Sequence, residues 1–296
     1  MSRRGLTLFL AMSLIWGIPY LLIRVAVRDL SPADLVFART APAALLLLPV
    51  AYRRGDLHAV LPRWRWIATF AVVEMALPWL FLSTAEQRLP SSTAGLLIAG
   101  VPLLSALLYR VGPHHDPLTR SRLAGLVVGF AGVAALVGLE FAGSDARALA
   151  EMLVPAVGYS LGPLLVSVYL SDVPSLGVVS VAMTLTAVLY APYALTHLPS
   201  HVSAEAGWSV AGLALICTAL AFVLFFELIG EVGPARSTVI TYLNPAVAVL
   251  LGLVVLGEPL STGIAVGFPL ILAGSVIATR GAAARQPEEV GPGPAP

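Results

Sequence analysis

The stretch TYLNPAVAVLLGLVVLGEPLS (Thr241–Ser261) puts Asn244, the only asparagine of the chain, and Pro245 inside an apolar run that stops at Gly-Glu-Pro. Much the same rhythm appears earlier, in AGVPLLSALLYRVGPHHDPLT (Ala99–Thr119). Each run is about the length of one membrane crossing, since about 20 residues of helix span the hydrocarbon core. The stretch therefore raises two questions, one about the class of the chain and one about its repetition.

Composition answers the first. Charged residues make up 11% of the chain and hydrophobic residues 58%, with a mean hydropathy of +0.90. An ordinary soluble domain carries about 25% charge. A lipid bilayer is the solvent that accommodates so much apolar surface, and the expected class is an all-α integral membrane protein. The net charge of +1 and the absence of any basic run give no reason to expect nucleic acid as a partner. Cys217 is the single cysteine, so no disulfide framework or metal spacing is available, and no cofactor or metal is expected.

Apolar windows fall at Leu6–Val27, Ala33–Tyr52, Trp66–Glu86, Ser91–Arg110, Arg122–Leu139, Ala150–Leu170, Pro174–Thr196, Gly207–Ile229, Ala235–Leu256 and Thr262–Thr279. Ten transmembrane helices are expected, joined by short connections rich in Pro, Gly and charge. The charged N-terminus precedes an apolar run too long for a signal peptide, which reads as a retained first span. Arginine placement sets the orientation. With the N-terminus inside, twelve arginines lie in inner segments, and only Arg28, Arg88 and Arg147 lie in outer ones. Both termini are thus expected in the cytoplasm of a cell inner or plasma membrane protein, with 281–296 as a disordered, Pro/Gly-rich tail.

The repetition extends over the whole chain. Shifted by 143 positions, Ala76-Leu77 falls on Ala219-Leu220, Pro102 on Pro245 and Leu107 on Leu250. After one gap, DPLTRSRLAGLVVGFAG (Asp116–Gly132) falls on EPLSTGIAVGFPLILAG (Glu258–Gly274), and in the first spans Trp16 falls on Tyr159. Each copy holds an odd number of spans, five, so the second enters the membrane upside down. Residues 1–145 and 146–280 are the two expected repeats. Inverted repeats of this kind mark secondary transporters, whose substrate site lies at the repeat interface near the midplane.

LIWGIPYLLIRVAVRDLSPADLVFART (Leu14–Thr40) and YLNPAVAVLLGLVVLGEPLSTGIAVGFPLILAGSVIA (Tyr242–Ala278) resemble the first two and last two spans of EamA-type members of the drug/metabolite transporter superfamily. The shared pattern is Trp-Gly, a basic residue ending span 1, a Pro-containing loop, Arg opening span 2, and Pro followed by Gly-Glu near the end. The resemblance covers roughly residues 5 to 280. It implies ten helices around a central cavity lined by spans 1, 3, 4, 6, 8 and 9. It also implies transport, often export, of small metabolites, amino acids or drugs. In the first copy Asp116, after Gly-Pro-His-His, departs from the Gly-Glu pattern.

Several residues qualify for the substrate pathway. Glu74 lies near mid-bilayer, where a charge costs about 2.5–3.5 kcal/mol to insert, so it tends to face a cavity or a partner. Its alternative is a structural, hydrogen-bonded acid. Asn244 either lines the pathway beside the backbone carbonyl that Pro245 frees, or fixes packing through an interhelical hydrogen bond. Tyr242, two residues away, points elsewhere round the helix. Trp16, Tyr20, Trp79 and Tyr159 either pack or form an aromatic substrate box. Pro19, Pro102, Pro163 and Pro245 are expected to bend their helices. Arg24 and Arg39 read as anchors toward the outer ends of their spans, snorkelling or paired with Asp29 or Asp34, with anion binding as the alternative. Glu86, Glu140, Glu151 and Glu227 read as rim charges. His114, His115 and Asp116 read as a solvated loop. Gly125, Gly129, Gly263 and Gly267 form G-x-x-x-G pairs for close internal packing, with a homodimer through these faces as the alternative.

The expectation is a secondary transporter, an exporter of small organic metabolites or drugs by alternating access, with a small-molecule substrate and the lipid bilayer as its partners. A nucleotide-sugar or phosphate-ester exchanger of the same superfamily is the rival. It should need basic residues deep in the cavity, and the in-span arginines lie toward the outer rim. An integral-membrane enzyme is the rival outside transport, but no zinc motif, Gly-x-Ser-x-Gly or paired intramembrane aspartates occur.

Overall fold

The computed structural model describes residues 2–111, 119–140, 146–197, 199, 201–233, 237 and 239–283. The 112–118 loop with His114, His115 and Asp116, and the tail from 284 onward, lie outside the described residues. Among the described residues every regular element is helical. Seven helices are long and apolar enough to cross a membrane: Arg3–Ala26, Pro32–Arg54, Asp56–Glu86, Ser91–Leu108, Ala146–Tyr169, Ser175–Thr196 and Ala204–Val232 (spans 1–4 and 6–8). Shorter apolar helices at Leu123–Leu139, Ile240–Val255 and Thr262–Ala278 supply spans 5, 9 and 10. Their outward faces carry large apolar side chains such as Leu45 and Val254, 75% and 73% exposed. A protein in water would bury such residues; one in lipid turns them outward.

The principal helix contacts recur when the two halves are exchanged. Span 1 packs on spans 8 and 9, and span 6 on spans 3 and 4. Span 2 meets span 8 as span 7 meets span 3. Spans 2 and 7, 4 and 9, and 5 and 10 pair with their own counterparts across the middle. This is the contact pattern of two related five-helix units joined about a pseudo-two-fold axis. Spans 5 and 10 pack through glycine: a methyl group on Gly125 would collide with the Ala278 backbone, and one on Gly274 with the Gly129 backbone. The Gly125/Gly129 stretch of span 5 thus meets Gly274 and Ala278 of span 10, while Gly267 lies against Gly132 and Leu136.

The described ion pairs each stay at one end of the bundle. Arg4–Glu227 (3.0 Å) and Arg63–Asp172 (2.7 Å) lie at the end holding the N-terminus. Glu151 meets both Arg88 and Arg147 at the other. There Asp29 accepts from Ser203 N at 2.9 Å, and that bonding holds the Asp29 carboxyl below its ordinary value. Two sequence readings are corrected here. The segment after Arg54 is helical from Asp56 onward, because Gly55 at φ 79° ends span 2 in a single left-handed turn. Glu151 and Glu86 are buried rather than rim charges, 8% and 0% exposed, Glu151 under Arg88 and Arg147 and Glu86 on a residue whose carbonyl takes Arg24. Glu227 keeps its rim position, half-exposed beside Arg4.

Two local irregularities position the interior. Ala71–Ala76 in span 3 and Gly212–Leu220 in span 8 are π-helical. These segments overlap under the 143-residue shift. A π turn adds a residue to the helix and rotates the side chains beyond it, and such turns recur at functional sites. Spans 1 and 4 are broken at Trp16–Ile18 and at Ala99-Gly100. Pro19 opens the helix after the first break and Pro102 lies just after the second, where a proline costs no helical hydrogen bond. Pro163 and Pro245 sit inside continuous helices, so the breaks belong to the first repeat alone among the described residues.

Candidate functional site

A break in lipid leaves carbonyls without partners, and each must be satisfied from elsewhere in the protein. At the span 1 break, Gly17 N and Ile18 N both bond to Leu14 O, which leaves Ser13 O free of the helical ladder. Asn244 of span 9 fills that place: with its amide oriented to satisfy both acceptors, Nδ2 donates to Ser13 O at 3.1 Å and to Ile240 O at 2.9 Å. Gly17 permits the approach, since a methyl group there would collide with Val247. At the span 4 break, Ala99 O accepts from Ser275 Oγ of span 10 at 3.1 Å, and Val101 O accepts from Ser160 Oγ of span 6 at 3.3 Å. Tyr242 Oη donates to Ser275 O at 3.3 Å, so Tyr242 faces span 10 while Asn244 faces span 1.

The N-terminal end of span 4 is capped by the acid of the Gly-Glu-Pro turn. Glu258 Oε1 accepts from Ser91 N at 2.7 Å and Oε2 from Ser92 N at 3.0 Å. A carboxylate there satisfies orphan amides and complements the positive end of the helix. Gly257 makes the turn at φ 65°, and a side chain on Gly252 would collide with the Glu258 carboxylate.

Between the two halves lies a polar cluster around Arg39. Its side chain is 8% exposed. Nε donates to Thr218 Oγ1 at 2.8 Å, and Cζ lies 3.8 Å from the Trp79 ring centroid. Thr218 lies in the π-helical part of span 8, and Trp79 follows that of span 3. Tyr20, Tyr159, Glu86 and Cys217 are within electrostatic range of the guanidinium. This corrects the reading of Arg39 as an outer anchor: its face of span 2 meets spans 3, 7 and 8, so the side chain runs inward. Neither in-span arginine takes the expected aspartate. Arg24 Nη1 donates to Glu86 O, while Asp34 pairs with Ser31 and Asp29 with Ser203. A buried arginine therefore does lie between the halves, as a phosphate-ester substrate would also require.

Of the residues expected on the pathway, Tyr20, Trp79 and Tyr159 gather around Arg39. Glu74 is near Tyr159 and seats against span 6, where a side chain on Gly162 would collide with its Oε2. That oxygen has no hydrogen-bond partner among the described residues. Trp16 departs from its counterpart Tyr159, packing on Phe222 and Phe225 of span 8 at centroid distances of 5.9 and 4.6 Å. The sequence does not single out Thr218, and it sets Arg39 and Glu86 toward the rim. The available signal for Arg39 was its position within a span, where an ionisable residue is a functional candidate by default.

Comparison with known proteins places this geometry in context. A family described as the EamA-like transporter family matches residues 3–138 and 147–280. The "Uncharacterized inner membrane transporter YedA" of Escherichia coli strain K12 is 30% identical over 266 residues, covering 85% of this chain and 82% of that protein. A "Probable terminal-alkyne amino-acid exporter" of Streptantibioticus cattleyicolor is 29% identical over 286 residues, 94% of each chain. A solved crystal structure shares the fold at TM-score 0.66 and 23% identity, covering 95% of this chain and 99% of its own.

Proposed function

The chain belongs to the EamA-like transporter family, and we propose that it is a secondary transporter exporting small organic metabolites, amino acids first among them, by alternating access at the repeat interface. The observation that carries this reading is the Arg39–Thr218–Trp79 cluster, which lies where span 2 of the first repeat meets span 8 of the second. Principal contacts that recur between the halves suit a site around which either end opens in turn. The name of the Streptantibioticus cattleyicolor relative supports amino acids as cargo. We place the protein in a cell inner membrane with both termini cytoplasmic, on the arginine asymmetry and the inner-membrane relative. Tyr20, Trp79 and Tyr159 are the proposed pathway walls, with Glu74 beside them; Trp16, Tyr242 and Asn244 hold the surrounding helices.

The test is expression in a strain lacking its own exporters, with metabolites profiled inside and outside the cell. A selective outward shift of amino acids or related compounds is expected. No shift in any metabolite or in drug tolerance would remove the exporter reading.

A further inference from the structure

Two ionisable side chains of the interior, one basic and one acidic, keep bonding capacity that the described residues do not use. Arg39 carries five N–H donors, of which the hydrogen bonds assign only Nε, to Thr218. No described ion pair includes it. Trp79 lies against one face of the guanidinium, whose edge is the part of an arginine that takes a carboxylate through two parallel bonds. Glu86 is wholly buried, and neither Oε1 nor Oε2 has a hydrogen-bond partner among the described residues. It stands in electrostatic range of Arg39, Arg24 and Glu258. Arg24 is bonded to the Glu86 backbone and Glu258 to the amides of Ser91 and Ser92.

An unpaired buried charge is costly, so each group gains most from a ligand that brings its complement. An anion would answer Arg39 and leave Glu86 alone; a cation would do the reverse. A zwitterion meets both. Tyr20 and Tyr159 lie in electrostatic range of Arg39 and Trp79 lies against it, aromatic surface that suits an apolar side chain.

We propose that Arg39 and Glu86 form the substrate-binding pair for an apolar α-amino acid, Arg39 holding the carboxylate and Glu86 the ammonium. This rests on the transporter reading above. The cation–π contact keeps the guanidinium planar against Trp79, so its edge is presented in one orientation. Glu86, at the outer end of span 3, sets the depth at which the ligand sits.

The experiment uses wild-type protein in proteoliposomes loaded with labelled L-leucine, L-phenylalanine or L-methionine. Efflux is challenged with the unlabelled amino acid, its amide and its N-acetyl derivative. The parent is expected to compete, and each derivative to compete at least about tenfold more weakly, as expected of a site whose buried polar groups would be left unpaired. In Arg39→Gln the penalty for the amide should vanish; in Glu86→Gln the penalty for N-acetylation should vanish. A loss of fold alone would not move these ratios, and the wild-type series decides the ligand class if either variant fails to assemble. Derivatives that compete as well as the parent overturn the proposal. Failure of all three amino acids to move, with other metabolites shifted in the cell profile, overturns it and spares the transporter reading; a flat profile as well overturns both.

Discussion

Asn244 reaches from span 9 to the carbonyl of Ser13 in span 1, a 3.1 Å hydrogen bond that closes the gap left by the break at Trp16. The bond joins the two repeats and explains a polar amide in an apolar run. Replacing Asn244 with Leu should cost about 0.6–2 kcal/mol of stability, the usual range for an interhelical hydrogen bond in a membrane. A lowered melting temperature in detergent, with the order of substrate preference unchanged, is the expected outcome. A changed preference at unchanged stability would instead put Asn244 on the pathway.

Glu258 holds the N-terminus of span 4 through Ser91 N and Ser92 N. Glu258→Ala should cost about 0.5–2 kcal/mol, as for other lost helix caps. Hydrogen exchange should rise first across Ser91–Ile98. Gly252→Ala should act in the same direction, because the added methyl displaces the Glu258 carboxylate. Unaltered exchange in both variants would refute the cap.

The glycine seam between spans 5 and 10 leaves no room for side chains. Gly274→Leu should abolish monodisperse purification, and Gly274→Ala should lower stability by about 1–3 kcal/mol, the typical overpacking penalty. Gly138→Ala is the control, since nothing lies within 4 Å of an added methyl there. Equal behaviour of the Gly274→Ala and Gly138→Ala variants would contradict the packing.

Much of this arrangement is readable from sequence, because span number depends on hydropathy and the duplication on simple alignment. The ion pairs agree with the ten-span topology for the same reason: Arg63 and Asp172 are placed at one end by chain length alone. Arg39 was misread because the rotation of span 2 about its axis is decided by packing against spans 3, 7 and 8. The π turns at Ala71–Ala76 and Gly212–Leu220 have no local residue signature, yet they aim Trp79 and Thr218. The use of Asn244 depended on a carbonyl freed in a distant helix, which no inspection of Thr241–Ser261 supplies.

Glu74 seats in the notch that Gly162 provides. If it couples protons to transport, Glu74→Gln should flatten the dependence of transport on pH while leaving the fold intact. Gly162→Ala should lower activity by pushing the carboxylate away. Unchanged transport and an unchanged pH profile in Glu74→Gln would end the coupling role.

The most direct measurement uses the native thiol. Cys217 is the only cysteine, buried at 1% exposure beside Thr218 and in electrostatic range of Arg39. If the repeat interface is the pathway, alternating access must bring water to it. A charged, membrane-impermeant thiol reagent should therefore label Cys217 in intact native membranes, and a transported amino acid should slow the labelling. Labelling only after the protein is unfolded in detergent would contradict the account, because a permanently dry interface carries no solute.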